Sequence, residues 1–161
     1  MEKEIYSPIK VVTLEKFKIA KYVIINSAPE QDVVIYIDRW AENSGLLDFK
    51  GYSKRRIGWD FPYVSEEQKT KLGLRGYVAA YIIPEEFIPK CDGAELTYIE
   101  TDTYVTLTIT DPHKDSFKNI PKAFEMLIEY SKTSSWENRL AFEEEYDNNG
   151  VHYMDIFVPM N

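Results

Sequence analysis

The chain has 161 residues, 44% of them hydrophobic and 29% charged, which fits a single domain with a substantial core. A formal net charge of −8, with no basic run denser than Lys54-Arg55-Arg56, argues against a surface built for nucleic-acid phosphates. The single cysteine, Cys91, rules out an internal disulfide and a thiolate metal cluster.

In chain order, Met1-Glu2-Lys3-Glu4 lacks a signal peptide's apolar segment. The longest strongly apolar run, Tyr77 to Ile83, stops at Pro84, far short of a membrane span, so a cytoplasmic protein is expected. β-Branched residues from Lys10 to Asn26 predict one long, bent strand. Ala28-Pro29-Glu30 reads as a helix start, with Val33, Ile37 and Trp40 at helical spacing and Asn43-Ser44-Gly45 as the stop. A strand follows over Arg56 to Phe61, then a charged excursion from Ser65 to Arg75, then a strand from Gly76 to Ile83. Beyond a turn-rich stretch to Gly93 come strands near Leu96 to Glu100 and over Thr103 to Thr110. Ile120, Phe124, Leu127, Ile128 and Ser131 form a helical stripe. The last pair of strands, Arg139 to Tyr146 and Val151 to Val158, flanks Asn149-Gly150, a strong hairpin signal.

The halves, about 9–85 and 94–160, repeat the order strand, helix, strand, strand within one domain spanning 1–161. An α+β fold is expected: two βαββ repeats forming an antiparallel sheet, with two main helices on one face and a central ligand groove.

Within the penultimate strand, alternation places Leu140, Phe142, Glu144 and Tyr146 on one side and Ala141, Glu143, Glu145 and Asp147 on the other. Glu144 is a carboxylate in an apolar and aromatic row. Such a group needs a basic neighbour, hydrogen-bond donors or a cationic ligand. It is therefore either an edge or salt-bridged residue, or the acid of a ligand pocket. Trp59, alternating with Ile57 and Phe61, is either core or pocket wall. In the last strand Met154, Ile156 and Val158 suit the helix-covered core, leaving Tyr153 on the other side or in the groove. Tyr104 shares its face with Thr106 and Thr108, which suggests solvent. The two histidines, His113 and His152, show no metal spacing, and no phosphate loop or nucleophile elbow is evident. No metal and no cofactor is expected.

Several segments together resemble the GyrI-like, or AraC effector-binding, superfamily, which includes the ligand-binding domains of multidrug-sensing regulators. They are Asp60-Phe61-Pro62, Tyr104-Val105, the amphipathic helix from Ile120, Glu144-Glu145-Tyr146 as an E-x-Y element, and the ending Ile156-Phe157-Val158-Pro159-Met160. The resemblance runs from about Ile9 to Met160. It implies a hydrophobic, aromatic pocket whose acid, Glu144, recognises lipophilic cations, with Tyr146 at the next pocket position. Trp59, Tyr153 and Tyr104 complete the expected ligand-binding set. The family's helix-end tryptophan aligns with Tyr130, while Trp136 falls in the following loop.

No helix-turn-helix precedes the first strand, so the expected function is stand-alone binding of lipophilic, aromatic, cationic small molecules. That serves sequestration, or sensing with a separate regulator or enzyme partner, without direct nucleic-acid or membrane binding. The alternative is a hydrolase that opens strained, cyclopropane-type rings of genotoxic natural products. There Glu144 positions or deprotonates water and Tyr146 donates to the developing anion. A third possibility is a protein-binding module that inhibits a larger enzyme.

Overall fold

The computed structural model describes residues 4–132 and 139–161. In chain order these form β1 (Lys10–Leu14), β2 (Phe17–Asn26), α1 (Pro29–Asn43), β3 (Arg56–Phe61), α2 (Glu66–Leu72), β4 (Arg75–Ile82), β5 (Glu95–Ile99), β6 (Asp102–Thr110), α3 (Ser116–Ser131), β7 (Phe142–Asn148) and β8 (Val151–Pro159). The class is α+β, and the strand pairs within each unit described below are antiparallel.

Two departures from the predicted elements have clear causes. The single strand expected over Lys10 to Asn26 is two strands, because the chain changes partner at Lys16. There the amide N–H donates to Thr101 Oγ1 at 2.9 Å instead of to a ladder. Strand propensity is local and carries no information about which partner a strand takes. The charged excursion after Ser65 contains α2, held by a reciprocal cap. Ser65 Oγ accepts from the Gln68 N–H at 3.1 Å, and Gln68 Oε1 accepts from the Ser65 N–H at 2.8 Å. None of its residues is buried, so it has no apolar stripe to betray it.

The described chain divides into two compact units, one inserted in the other. The inserted unit runs from Phe17 to Ile99, and the split unit combines the residues up to Lys16 with those from Glu100 onward. The inserted unit has strand order β5-β2-β4-β3, and the split unit β1-β6-β8-β7. Each is therefore a βαββ repeat with one extra edge strand. Those edge strands are exchanged along the sequence, since β1 precedes the first repeat but pairs with β6, and β5 precedes the second but pairs with β2. The unit boundaries consequently differ from the halves 9–85 and 94–160.

Within the inserted unit, α1 buries Val33, Ile37 and Trp40, as its spacing predicts, against Ala20, Ala79 and Tyr81. Asp38 on the same helix accepts two hydrogen bonds from Arg56 Nη1, at 2.9 and 3.0 Å, and one from the Tyr81 hydroxyl at 2.6 Å. Burial, reinforced by Asp38, holds the Tyr81 phenol well above its ordinary range.

Within the split unit, α3 packs Ala123 and Leu127 on Val105, Leu107, Ile109, Met154, Ile156 and Val158. The Met154/Ile156/Val158 row is thus the helix-covered core. The helix is turned slightly from its predicted stripe: Ala123, Leu127 and Ser131 point inward, and Ile128 remains 43% exposed. No helix among the described residues is long and apolar enough to cross a membrane.

Candidate functional site

The Asn149-Gly150 turn adopts φ of 51° and 79°, a conformation that asparagine and glycine tolerate best. It fixes the β7–β8 register as Phe142 opposite Phe157, Glu144 opposite Asp155, and Tyr146 opposite Tyr153. On the far side of β8, Thr106 lies opposite Phe157 and Thr108 opposite Asp155. Side chains directly opposite share a face, so these residues form one surface, on the side of the split unit's sheet away from α3.

That surface is graded. At one end Tyr104, Phe142 and Phe157 form a buried aromatic cluster, with Phe142 and Phe157 stacked at 4.8 Å and Tyr104 edge-on to them at 5.5 and 6.0 Å. At the hairpin end, Tyr146 and Tyr153 stack at 5.6 Å and are partly open to solvent. Between the two lies a pair of facing carboxylates, Glu144 and Asp155. Glu144 is only 8% exposed. Asp155 Oδ1 accepts from the Thr108 hydroxyl at 2.5 Å and the Tyr146 hydroxyl at 2.9 Å. Burial and the bond to Asp155 push the Tyr146 phenol up to about 12, with Glu144 adding to the rise. The phenolic proton of Tyr146 is therefore directed at Asp155.

Tyr104 corrects one expectation. Its face does not meet solvent: Tyr104 is 1% exposed and Thr106 3%. Threonine is β-branched and suits a buried strand when its hydroxyl is satisfied, so it was a poor marker of exposure. Burial raises the Tyr104 phenol to about 12; nearby Asp102 adds to the rise and Arg139 opposes it. Asp102 is itself held below the usual carboxylate range, chiefly by hydrogen bonds from Arg139.

Four of the five expected ligand-binding residues, Glu144, Tyr146, Tyr153 and Tyr104, thus share one face of the split unit. Trp59 belongs to the inserted unit. There it lies half-buried opposite Val78, on the face of that unit's sheet away from α1. Tyr130 is half-exposed near the end of α3, and Trp136 lies outside the described residues.

The opposite face of β7 carries a cluster that the sequence reading missed. His113 Nε2 lies 3.1 Å from Glu145 Oε1, and His152 Nε2 lies 2.9 Å from Glu145 Oε2. His152 Nδ1 lies 2.8 Å from Asp147 Oδ1. Asp147 opposite His152 follows from the hairpin register, so part of the group was legible. His113, 32 residues before Glu145, arrives by tertiary structure alone.

By sequence, no family model and no curated protein matches the chain. By structure, the chain is similar to SAV2435 bound to tetraphenylphosphonium, with a TM-score of 0.58, 12% identity, and 96% of this chain and 94% of that one covered. It is similar to the EcmrR C-terminal domain, with a TM-score of 0.62, 11% identity, and 94% and 96% covered. A hydrolase encoded by lin2189 from Listeria innocua is also similar, with a TM-score of 0.52, 10% identity, and 92% and 90% covered. At these identities the likeness is one of fold. The chain shares the fold of these structures, in agreement with the α+β architecture that its resemblance to the GyrI-like superfamily implied.

Proposed function

We propose that this protein binds lipophilic, aromatic, cationic small molecules on the α3-free face of the split unit. The observation that carries the reading is the placement of buried Glu144 beside Asp155, between a buried aromatic cluster and the partly open Tyr146–Tyr153 stack. Two adjacent carboxylates make the middle of this face acidic, and flanking aromatic faces suit a large, apolar cation. That a protein of the same fold was solved with tetraphenylphosphonium supports the same ligand class.

The roles divide by chemistry. Glu144 supplies charge. Tyr146 and Tyr153 supply ring faces, each cation–π contact contributing about 0.5–2 kcal/mol. Asp155 fixes the Tyr146 hydroxyl, and Tyr104 braces the aromatic cluster from within. Trp59 is not required by this reading. Binding of this kind serves sequestration, or sensing in concert with a separate regulator.

Fluorescence titration with a rhodamine-type cation and a neutral analogue of the same shape tests the proposal. Glu144→Gln removes charge and keeps shape. It is expected to weaken cation binding by the 1.5–3 kcal/mol typical of a charge-assisted contact, about 10- to 150-fold, and to leave the neutral dye nearly unaffected. Equal losses for both dyes refute the charge role. An electrophilic cyclopropane incubated with the protein in ¹⁸O-labelled water is expected back unchanged by mass. Protein-dependent ¹⁸O uptake that disappears in Glu144→Gln establishes the hydrolase instead.

A further inference from the structure

We infer that His113, Glu145 and His152 form a binding site for a divalent transition-metal ion of the zinc class. The cluster lies on the face of β7 opposite Glu144, so the inference is independent of the ligand-binding proposal.

Two devices bring the donors together. Glu145 and Asp147 alternate onto one face of β7, and the hairpin register sets His152 opposite Asp147. His113 comes from the short 3-10 helix Pro112–Asp115 that follows β6. That turn is fastened to β8 by the Asp111 N–H, which donates to the His152 carbonyl at 2.9 Å. Asp111 takes a φ of 50° to make the turn. The same backbone contact that ends β6 therefore holds the two imidazoles in reach of each other, with ring centroids 5.7 Å apart.

One nitrogen from each histidine and the Glu145 carboxylate can converge: the donor atoms all lie within 4.8 Å of one another. Two imidazoles and a carboxylate are the donor set of three-ligand zinc centres, and they also suit cobalt and nickel. Bonds of about 2.0–2.1 Å in tetrahedral geometry require donors roughly 3.3 Å apart. The Glu145–His113 and Glu145–His152 separations, 3.1 and 2.9 Å, are made to different carboxylate oxygens and need to open by a few tenths of an ångström, while donor separations of up to 4.8 Å have to close by about 1.5 Å. His113 is 53% exposed and His152 33%, so both have room to move.

The surroundings fit a metal centre as well. Asp147 Oδ1 lies 2.8 Å from His152 Nδ1; with the ring proton on Nδ1 this contact orients the ring and leaves Nε2 as the donor atom, the carboxylate–histidine pairing usual behind a metal ligand. Asp111 and Lys114 line the same open depression, which leaves a fourth coordination position facing solvent. Water or a carboxylate from a small ligand would occupy that position.

Metal-stripped, untagged full-length protein titrated with ZnCl₂ by calorimetry tests the assignment, with Co²⁺ visible absorption reporting the ligand field. One metal ion per chain is expected, together with the intense d–d bands of a four- or five-coordinate cobalt centre. His113→Ala and His152→Ala should each abolish stoichiometric binding. Asp147→Asn should weaken it by about 10- to 100-fold, the usual effect of losing an outer-shell partner. Cys91→Ser should change nothing, because Cys91 is an exposed thiol outside the cluster. Zinc should also raise the melting temperature of wild type but not of His113→Ala. Absence of stoichiometric binding by wild type, or binding retained in His113→Ala, overturns the inference. His113 is half-exposed, so that variant keeps the fold and decides the question even if His152→Ala does not.

Discussion

Replacing Asp102 with asparagine should destabilise the protein at neutral pH and much less so in acid. Asp102 accepts from Arg139 Nε at its Oδ2 and from Arg139 Nη2 at its Oδ1, both at 3.0 Å, and Oδ1 also accepts from the Thr103 N–H at 2.8 Å. Arg139 Nη2 further donates to the Met160 carbonyl at 2.6 Å. One fork thus ties the starts of β6 and β7 to the end of β8. The side chains of Arg139 and Asp102 are 28% and 24% exposed. A pair this sheltered and bidentate lies between exposed bridges, worth about 0–1 kcal/mol, and fully buried ones, whose breaking costs about 3–5 kcal/mol. In the asparagine variant an amide N–H₂ faces the guanidinium where an oxygen stood. We expect a loss of about 1–3 kcal/mol at pH 7, or a melting temperature lower by about 2–12 °C.

The pH dependence follows from the depressed pKa of Asp102. Its stabilising contribution is complete above the unfolded value near 3.9 and fades as pH falls through the lower folded value. The gap between wild type and variant should therefore narrow below about pH 4, because only wild type loses this contribution. Urea unfolding followed by circular dichroism at pH 7 and pH 3 measures both. A gap of equal size at the two pH values, or none at pH 7, refutes the account.

Leu127→Ala removes a fully enclosed side chain of α3 from its contact with β6 and β8, and should cost about 2–5 kcal/mol by the same urea assay. Gly150→Ala places a side chain where no atom lies within 4 Å, so its expected cost of roughly 1 kcal/mol is purely the penalty of φ +79° for an L-residue. A loss above about 3 kcal/mol would show that the turn does more than set the hairpin.

How much of this was legible in the sequence depended on whether the determining interaction was local. The Asn149-Gly150 hairpin was readable because the turn conformation and the strand register are set by the same few residues. With the register came the face shared by Glu144, Tyr146 and Tyr153. The α1 stripe was readable because Val33, Ile37 and Trp40 all point into one core. In α3 the small residue Ala123 takes an inward position and leaves bulkier Ile128 outside, so hydrophobicity alone misplaced the face slightly. Burial of Tyr104 was hidden because Thr108 owes its satisfaction to Asp155, 47 residues away. The His113–Glu145 contact was hidden for the same reason. The exchange of β1 and β5 was hidden most deeply, since nothing within a strand states its partner.

That exchange has a consequence for how the chain assembles. Pairing β1 with β6 brings Leu14 next to Asp102 and, if the intervening chain were loose, would cost about 4 kcal/mol in closure entropy. The intervening segment is the inserted unit, and its own sheet pairs Phe17 with Ile99. Once that unit has formed, its two ends emerge as neighbours, and Lys16 and Glu100 meet within 3.6 Å just beyond them. Most of the search that β1 must make for β6 is thus completed by residues belonging to neither strand. Weakening the Phe17–Ile99 end of the inserted unit should therefore loosen the β1 edge of the split unit, although every residue of β1 and β6 is unchanged.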